Sequence, residues 1–152
     1  MTYWWSKMLE SPKACTYNTI KNRVCLEAYL ETITNKKHRT GLTRFRLSNH
    51  DLLIEKGRHM RPRLDRSDRK CFICKDKVEN ERHFIVECPA YEKERKELFD
   101  CCYEKCPNFE YIHTEEQKFI FIMTNENIFI SKKLGKYIFE CFKIRQCLKQ
   151  TL

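Results

Sequence analysis

Four potential metal ligands lie within eighteen residues of the chain. Cys71 and Cys74 are separated by two residues, and His83 and Cys88 follow after eight and four more, in the pattern C-x2-C-x8-H-x4-C. Two cysteines at the first spacing can bind one ion from a single tight turn, because the reversing backbone brings both sulfurs to one side. Thiolate and imidazole are the ligands that zinc prefers in closed structural sites. The motif therefore predicts one structural Zn²⁺ held by Cys71, Cys74, His83 and Cys88.

Two other interpretations of these cysteines fit the sequence less well. A redox-active Cys-x-x-Cys should end a strand and open a helix, whereas a charged run, Asp68-Arg69-Lys70, precedes this one. The ten cysteines of the chain would indicate a disulfide framework in a short secreted protein. However, the first residues do not have the basic start and apolar core of a signal peptide. We therefore expect free thiols in an intracellular protein, nuclear or nucleocytoplasmic, that is not secreted.

The longest purely apolar run, Phe119 to Met123, is much shorter than a membrane span. The sequence therefore predicts no membrane partner.

The segments around the cysteine motif resemble a known family. They read KKHRTGLTRFRLSNH at 36–50, IEKGR at 54–58, ERHF at 81–84 and ECPAY at 87–91. Together they resemble the zinc-binding region at the carboxyl end of non-LTR retrotransposon (LINE-type) reverse transcriptases. The resemblance covers roughly residues 20 to 100 and is weak from Cys101 onward. It implies the same four metal ligands, and it implies template RNA or target DNA as the partner.

The resemblance does not carry over an enzymatic activity. The polymerase of this family needs a metal-binding carboxylate pair of the Tyr-x-Asp-Asp type, and the chain has no two adjacent aspartates. Some relatives place a restriction-like nuclease after the zinc site, which needs a Pro-Asp pair, and no such pair occurs here. We therefore expect a binding protein rather than an enzyme.

Positive charge is concentrated immediately before the metal motif. The chain has 30 basic and 21 acidic residues and a net charge of +9, which favours an anionic partner. Residues 36 to 70 contain twelve basic and four acidic residues, which is +8 of that charge. The predicted nucleic-acid contacts are Lys36, Lys37, Arg39, Arg44, Arg46, Lys56, Arg58, Arg61, Arg63, Arg66, Arg69 and Lys70. The alternative is a solvated surface, which is what most charge runs are.

A helix over about 38–48 is expected to present part of this charge. Leu42 and Phe45 would face inward on it. Another stripe of the helix would track a phosphate backbone with Arg39, Thr43, Arg46 and His50. Residues 51–55 would form a short strand or the last helical turn, ended by Gly57, and a basic connector over 58–69 would lead to the metal site.

The sequence predicts a mainly α fold, a small helical domain built around one CCHC zinc knuckle. Only three glycines and four prolines occur, which disfavours a strand-rich, turn-rich fold. Residues 1–18 are expected to be an irregular leader or the remnant of an upstream domain. The helical domain would span 19–150, with an amphipathic helix at 19–34, the basic helix and connector at 36–70, the knuckle at 71–88 and C-terminal helices at 89–149.

Apolar residues recur along the last predicted helix, 127–149, at alternating steps of four and three. These residues are Ile130, Leu134, Tyr137, Cys141, Ile144 and Leu148. We expect this seam to pack on the domain's own helices, with a partner protein or a dimer through the last helix as the alternative. Cys101, Cys102 and Cys106 are interpreted as small apolar helix residues rather than a second metal site.

These observations predict zinc-dependent nucleic-acid binding, with RNA and DNA both open as partners. The alternatives are a structural or protein-interaction zinc module, and an inactive retrotransposon fragment.

Overall fold

A computed structural model describes residues 3–21 and 23–151, and the mainly helical fold is confirmed in this part of the chain. Its α-helices are α1 (Tyr3–Glu10), α2 (Cys15–Ile20), α3 (Ala28–Thr32), α4 (Lys36–Arg46), α5 (Leu53–His59), α6 (Glu92–Lys105), α7 (Glu115–Thr124) and α8 (Ile128–Thr151). Within these residues there is no β-strand, only a single antiparallel bridge between Lys70 and Val78. None of the described helices is long and apolar enough to cross a bilayer.

Helix α8 is the centre of the core. It packs against α3, α4 and α6 along its length. Its seam residues are buried from Ile130 to Cys141, while Ile144 and Leu148 are half-buried. The prediction that this seam packs on the domain's own helices is therefore confirmed.

An aromatic cluster joins α8 to the segment that precedes Cys88. The ring of Phe84 stacks on that of Phe142 with centroids 4.6 Å apart, and it lies 5.5 Å from the ring of Phe45 on α4. The hydroxyl of Tyr137 donates to the carbonyl oxygen of Phe84 at 2.7 Å. Aromatic packing and one buried hydrogen bond thus fix the segment that carries His83 and Cys88 against the core.

Side-chain caps mark the starts of the two last helices. Thr114 caps α7, because its hydroxyl oxygen accepts a hydrogen bond from the Gln117 N–H at 3.2 Å. Helix α8 begins next to Asn127, whose side-chain oxygen accepts from the N–H of Phe129 at 3.0 Å. On α4, Leu42 and Phe45 face inward as expected.

The amino-terminal expectations are wrong in two places. Helices α1 and α2 occupy most of the segment expected to be irregular, while residues 1 and 2 lie outside the described part. The helix expected over 19–34 is absent from the described residues between α2 and α3. Val24 and Leu26, whose spacing suggested that helix, are 72% and 66% exposed, so their period does not face a core.

Helix α5 corrects the interpretation of residues 51–59. The helix begins at Leu53 and runs through Gly57 to His59, so Gly57 does not end it. A Cβ atom at position 57 would lie 2.7 Å from the Cγ atom of Arg69, which is too close for any side chain. The glycine therefore serves a close side-chain approach rather than a helix end.

Removing the bulk of Leu134 tests the position of α8. Leu134 is 2% exposed, so Leu134→Ala should leave a cavity and lower the free energy of unfolding by about 3 kcal/mol. Lys136→Ala on the same helix removes an exposed side chain and should stay within about 0.5 kcal/mol. Denaturant unfolding of the two variants measures both values. Similar losses for the two would show that Leu134 is not a core residue.

Candidate metal centre and basic surface

A tight reversal of the chain positions the first two cysteines. The N–H of Cys71 donates to the carbonyl oxygen of Lys77 at 2.8 Å, and the N–H of Lys75 donates to the carbonyl oxygen of Cys71 at 2.8 Å. Lys75 adopts a positive φ of 58° at the bend. The backbone N–H groups of Ile73 and Cys74 act to lower the pKa of the Cys71 thiol. The turn therefore brings both sulfurs to one side and stabilises negative charge on the first of them.

A π-helical turn positions the other two ligands. It spans His83–Glu87, and the N–H of Cys88 donates to the carbonyl oxygen of His83 at 2.8 Å, five residues earlier. The N–H of His83 is held by the side-chain oxygen of Asn80 at 2.8 Å. Pro89 begins a 3-10 turn directly after Cys88, and α6 follows at Glu92. Cys88 therefore also lies at the start of a helical segment.

The four predicted ligand residues come together. Their ligand atoms all lie within 4.8 Å of one another, so the group could hold a metal ion. The sulfurs of Cys71 and Cys88 are 3.9 Å apart, and the Cys74 sulfur is 3.4 Å from Nε2 of His83. Cys71, His83 and Cys88 are buried, while Cys74 is half-buried. The group therefore lies at the edge of the core.

The Cys71 and Cys88 sulfurs share one hydrogen bond, which shifts the pKa values of the two thiols in opposite directions. The hydrogen bond to the Cys88 sulfur, together with burial, raises the pKa of Cys71 to about 12. The same hydrogen bond lowers the pKa of Cys88. Thiolate is the form that binds metals, so a cation at the centre would displace the shared proton.

The carboxylate of Glu87 lies beside the imidazole ring of His83. It is 3.6 Å from Nδ1 of His83, the ring nitrogen that faces away from the sulfurs. Lys77 and Arg82 bind this carboxylate at 3.0 and 2.8 Å and hold its pKa below the usual range, although burial acts in the opposite direction. Metal-binding histidines usually place their second nitrogen against such a group. The i, i+4 spacing from His83 was a signal that could have indicated Glu87.

A buried ion pair fastens this region to α8. Both carboxylate oxygens of Glu79 lie 2.8 Å from guanidinium nitrogens of Arg145, and both residues are buried. The same carboxylate accepts a hydrogen bond from the Leu53 N–H at 2.7 Å, at the start of α5. Glu79 therefore joins three parts of the fold. The pair is 66 residues apart in sequence, and no local pattern indicated it.

Eight of the twelve predicted phosphate contacts have exposed side chains. These are Lys36, Lys37, Arg44, Lys56, Arg61, Arg63, Arg66 and Lys70. Lys56 pairs with Asp51 at 3.0 Å, while the other seven form no ion pair with any described residue. Arg39 and Arg58 are half-buried, and Arg58 binds Glu55 at 3.1 Å. Exposed cations without a carboxylate partner among the described residues attract anions.

Two of the twelve residues are buried, which corrects their expected exposure. Arg46 lies 3.2 Å from the Glu27 carboxylate and donates to the carbonyl oxygen of Met123, while Arg69 donates to the carbonyl oxygens of Leu64 and of Ile54 on α5. His50, at the end of the expected stripe, binds Glu81 at 3.0 Å. Arg46 at the end of α4 and His50 beyond it therefore bind acidic residues of the fold, Glu27 and Glu81.

Helix α8 adds basic residues that the sequence interpretation left without a role. Helices α4 and α8 pack together and carry eleven basic residues and one acidic residue, Glu140. A groove of about 780 Å³ runs between them and is lined by Arg44, Lys143 and Lys149. The sequence did not single out these basic residues, because lysines between the core positions are common on any amphipathic helix.

Comparisons of the chain with family models, with curated proteins and with solved structures find no match. The resemblance to retrotransposon reverse transcriptases therefore stays a prediction from the residues.

Proposed function

We propose that the four-residue group binds one structural Zn²⁺. In a tetrahedral zinc site with Zn–S bonds of about 2.3 Å, two sulfurs lie about 3.8 Å apart, and a sulfur and a nitrogen about 3.5 Å. The observed distances are 3.9 Å between the Cys71 and Cys88 sulfurs and 3.4 Å between the Cys74 sulfur and Nε2 of His83. Three thiolates and an imidazole favour zinc over the hard cations Mg²⁺ and Ca²⁺. Four protein ligands leave no position for water, so the ion would be a scaffold.

We further propose that the chain binds nucleic acid through the basic surface next to this centre. The observation that carries the proposal is the set of seven exposed cations between residues 36 and 70 that no carboxylate of the described chain compensates. A polyphosphate backbone is the anion that such a surface suits best, because each contact releases a condensed counterion. The setting resembles the carboxyl-terminal region of a retrotransposon reverse transcriptase that grips template RNA or target DNA, without its polymerase or nuclease.

The metal centre would act on this surface by fixing the connector. The N–H of Glu79 donates to the carbonyl oxygen of Arg69 at 2.8 Å. This hydrogen bond closes the hairpin of residues 69–79, which begins where the connector ends. Arg69 in turn holds the carbonyl oxygens of Leu64 and Ile54 at 2.9 Å. Loss of the ion would release Cys71 and, with it, the end of the basic segment.

Charge reversal tests the basic surface. Arg44 and Arg61 are exposed and outside the core, so replacing both with Glu should leave metal content and helicity unchanged. Affinity for RNA and duplex DNA should fall, and the slope of log affinity against log salt should flatten by about 0.7–0.9 for each phosphate that the variant no longer binds. Titrations at several salt concentrations measure both effects. Arg46 is unsuitable for this test because it is buried against Glu27.

The matched control reverses the same amount of charge elsewhere. Lys93 and Lys96 are exposed on α6, where acidic side chains balance the basic ones. Replacing both with Glu should change the affinity much less. Equal losses for the two pairs would mean that only net charge matters. If neither pair changes the affinity, the basic segment is solvated surface and the proposed function is wrong.

The protein-interaction alternative no longer has the surface that motivated it. Ile130, Leu134, Tyr137 and Cys141 are buried inside the described chain, so this seam does not present an apolar face to a partner. A protein bound to α8 would have to contact its basic face instead.

A further inference from the structure

Basic side chains converge on a small cavity beneath the connector. The cavity has a volume of about 240 Å³ and lies between α5, the start of α2 and the turn at residues 66–68. Five basic residues line it: Lys13, Arg58, Arg63, Arg66 and Arg69. Three acidic residues also line it, Glu55, Asp65 and Glu81. The cavity therefore has an excess of positive charge.

Arg69 is the innermost of these cations. It is 5% exposed, and its guanidinium donates three hydrogen bonds, all to carbonyl oxygens, those of Leu64 and Ile54. Among the described residues, no carboxylate lies within ion-pairing distance of it. A guanidinium has five N–H donors, so two of them remain for another acceptor. A buried charge without a counter-ion is costly unless an anion compensates it.

The acidic residues of the cavity do not supply that anion. Glu55 binds Arg58 at 3.1 Å, and Glu81 accepts hydrogen bonds from Ser48 and binds His50, both at 3.0 Å. Asp65 is exposed and forms no ion pair with a described residue. At most one carboxylate is thus left to face four cations.

The fold makes specific room for this arrangement. Gly57 lies against the aliphatic part of Arg69, and a Cβ there would come within 2.7 Å of Cγ and 2.9 Å of Cδ. Glycine in the interior of a helix costs stability, about 0.5–1 kcal/mol relative to alanine. The glycine in α5 is explained if placing the Arg69 side chain at this position contributes more than the stability that the glycine costs.

We propose that this cavity binds a phosphate group of a nucleic-acid strand, held by Arg69 together with Arg63 and Arg66. Guanidinium groups match phosphate oxygens in geometry and form charge-assisted hydrogen bonds with them. The inference rests on the proposed function, since it assigns one phosphate of the bound strand to a defined pocket. An internal phosphodiester and a terminal phosphate share this chemistry. Single-stranded RNA with and without a 5′ phosphate distinguishes the two.

The first test compares two pairs of arginines on the same basic surface. Replacing Arg63 and Arg66 with Ala removes two ligands of the pocket, whereas replacing Arg44 and Arg61 with Ala removes two exposed cations outside it. Hydrogen bonds to charged groups contribute about 1.5–3 kcal/mol, so the pocket pair should weaken RNA binding by at least about tenfold. The exposed pair should cost no more than about fivefold in total.

The second test needs no nucleic acid. Inorganic phosphate should raise the Tm of the zinc-loaded chain above that in chloride at equal ionic strength, because a ligand of the folded state stabilises it. The Arg63 and Arg66 double variant should lose this increase, and a double variant of Lys93 and Lys96 to Ala should keep it. Gly57→Ala displaces Arg69 without changing any charge, and it should also lose the increase.

The outcomes separate this inference from the proposed function. A tenfold loss for the pocket pair together with a phosphate-dependent Tm supports the pocket. Equal losses of RNA affinity for both arginine pairs, or a phosphate effect that survives Gly57→Ala and the pocket pair, overturn it and leave the proposed function standing. If RNA binding is unaffected by every variant, the proposed function fails as well.

Discussion

Loss of the metal is expected to unfold the segment from about residue 70 to 95. The turn that carries Cys71 and Cys74 is closed by a single β-bridge, between Lys70 and Val78, and the proposed ion would join this turn to His83 and Cys88 in the packed π turn. Structural zinc contributes about 10–16 kcal/mol of apparent binding free energy in small domains, which is as large as their usual net stability of about 5–15 kcal/mol. Cys71→Ser or His83→Ala should therefore lose both the ion and the ordered segment.

Cys147→Ser is the matched control for this prediction. Cys147 is an exposed cysteine on α8 and does not belong to the metal group. We expect one zinc per chain for the parent and for Cys147→Ser, and none for Cys71→Ser. Amide hydrogen exchange should become fast across 70–95 only in the ligand variant. Native protein without metal and with its thiols oxidised in pairs would overturn the zinc assignment.

Replacing Glu79 with Gln should lower the free energy of unfolding by about 3–5 kcal/mol. The change leaves the guanidinium of Arg145 buried without its counter-charge, and breaking a buried pair on one side has this cost. It also weakens the acceptor of the Leu53 N–H at the start of α5. Denaturant unfolding of the metal-loaded chain measures the loss.

The exposed pair of Glu126 and Arg23 provides the comparison for this buried pair. Both side chains are 69% exposed, so Glu126→Gln should change the stability by no more than about 1 kcal/mol. Arg145→Met combined with Glu79→Gln should cost less than the two single changes added together, because neither charge is then left alone. A small loss for Glu79→Gln alone would mean that water reaches Arg145 and that the pair is not a structural link.

The Cys/His group and the later helices could be predicted from sequence because their signals are local. The four ligands follow from cysteine and histidine spacing, and Pro89, Thr114 and Asn127 mark helix starts within a few residues. The carboxylate of Glu87 beside His83 could also have been predicted, because Glu87 follows His83 by four residues. Ligand spacing and helix starts depend on residues that are close together in sequence. They can therefore be predicted without knowing how the rest of the chain folds.

The features that could not be predicted depend on distant parts of the chain. Arg46 and Arg69 look like their exposed neighbours in sequence, and only the positions of Glu27 and of the Leu64 and Ile54 carbonyl groups make them buried. The helix expected over 19–34 failed for the same reason. Its second half is α3, which packs on α8, whereas Val24 and Leu26 in its first half are exposed and meet no core surface.

Binding of RNA and of duplex DNA to the same protein preparation, before and after removal of the metal, tests the central claim most directly. The zinc-loaded chain should bind, with log affinity falling linearly against log salt. The metal-free chain should lose most of this affinity at every salt concentration, because the basic connector is no longer fixed beside the knuckle. Absence of binding by the loaded chain at low salt, or equal binding with and without the metal, would contradict the account.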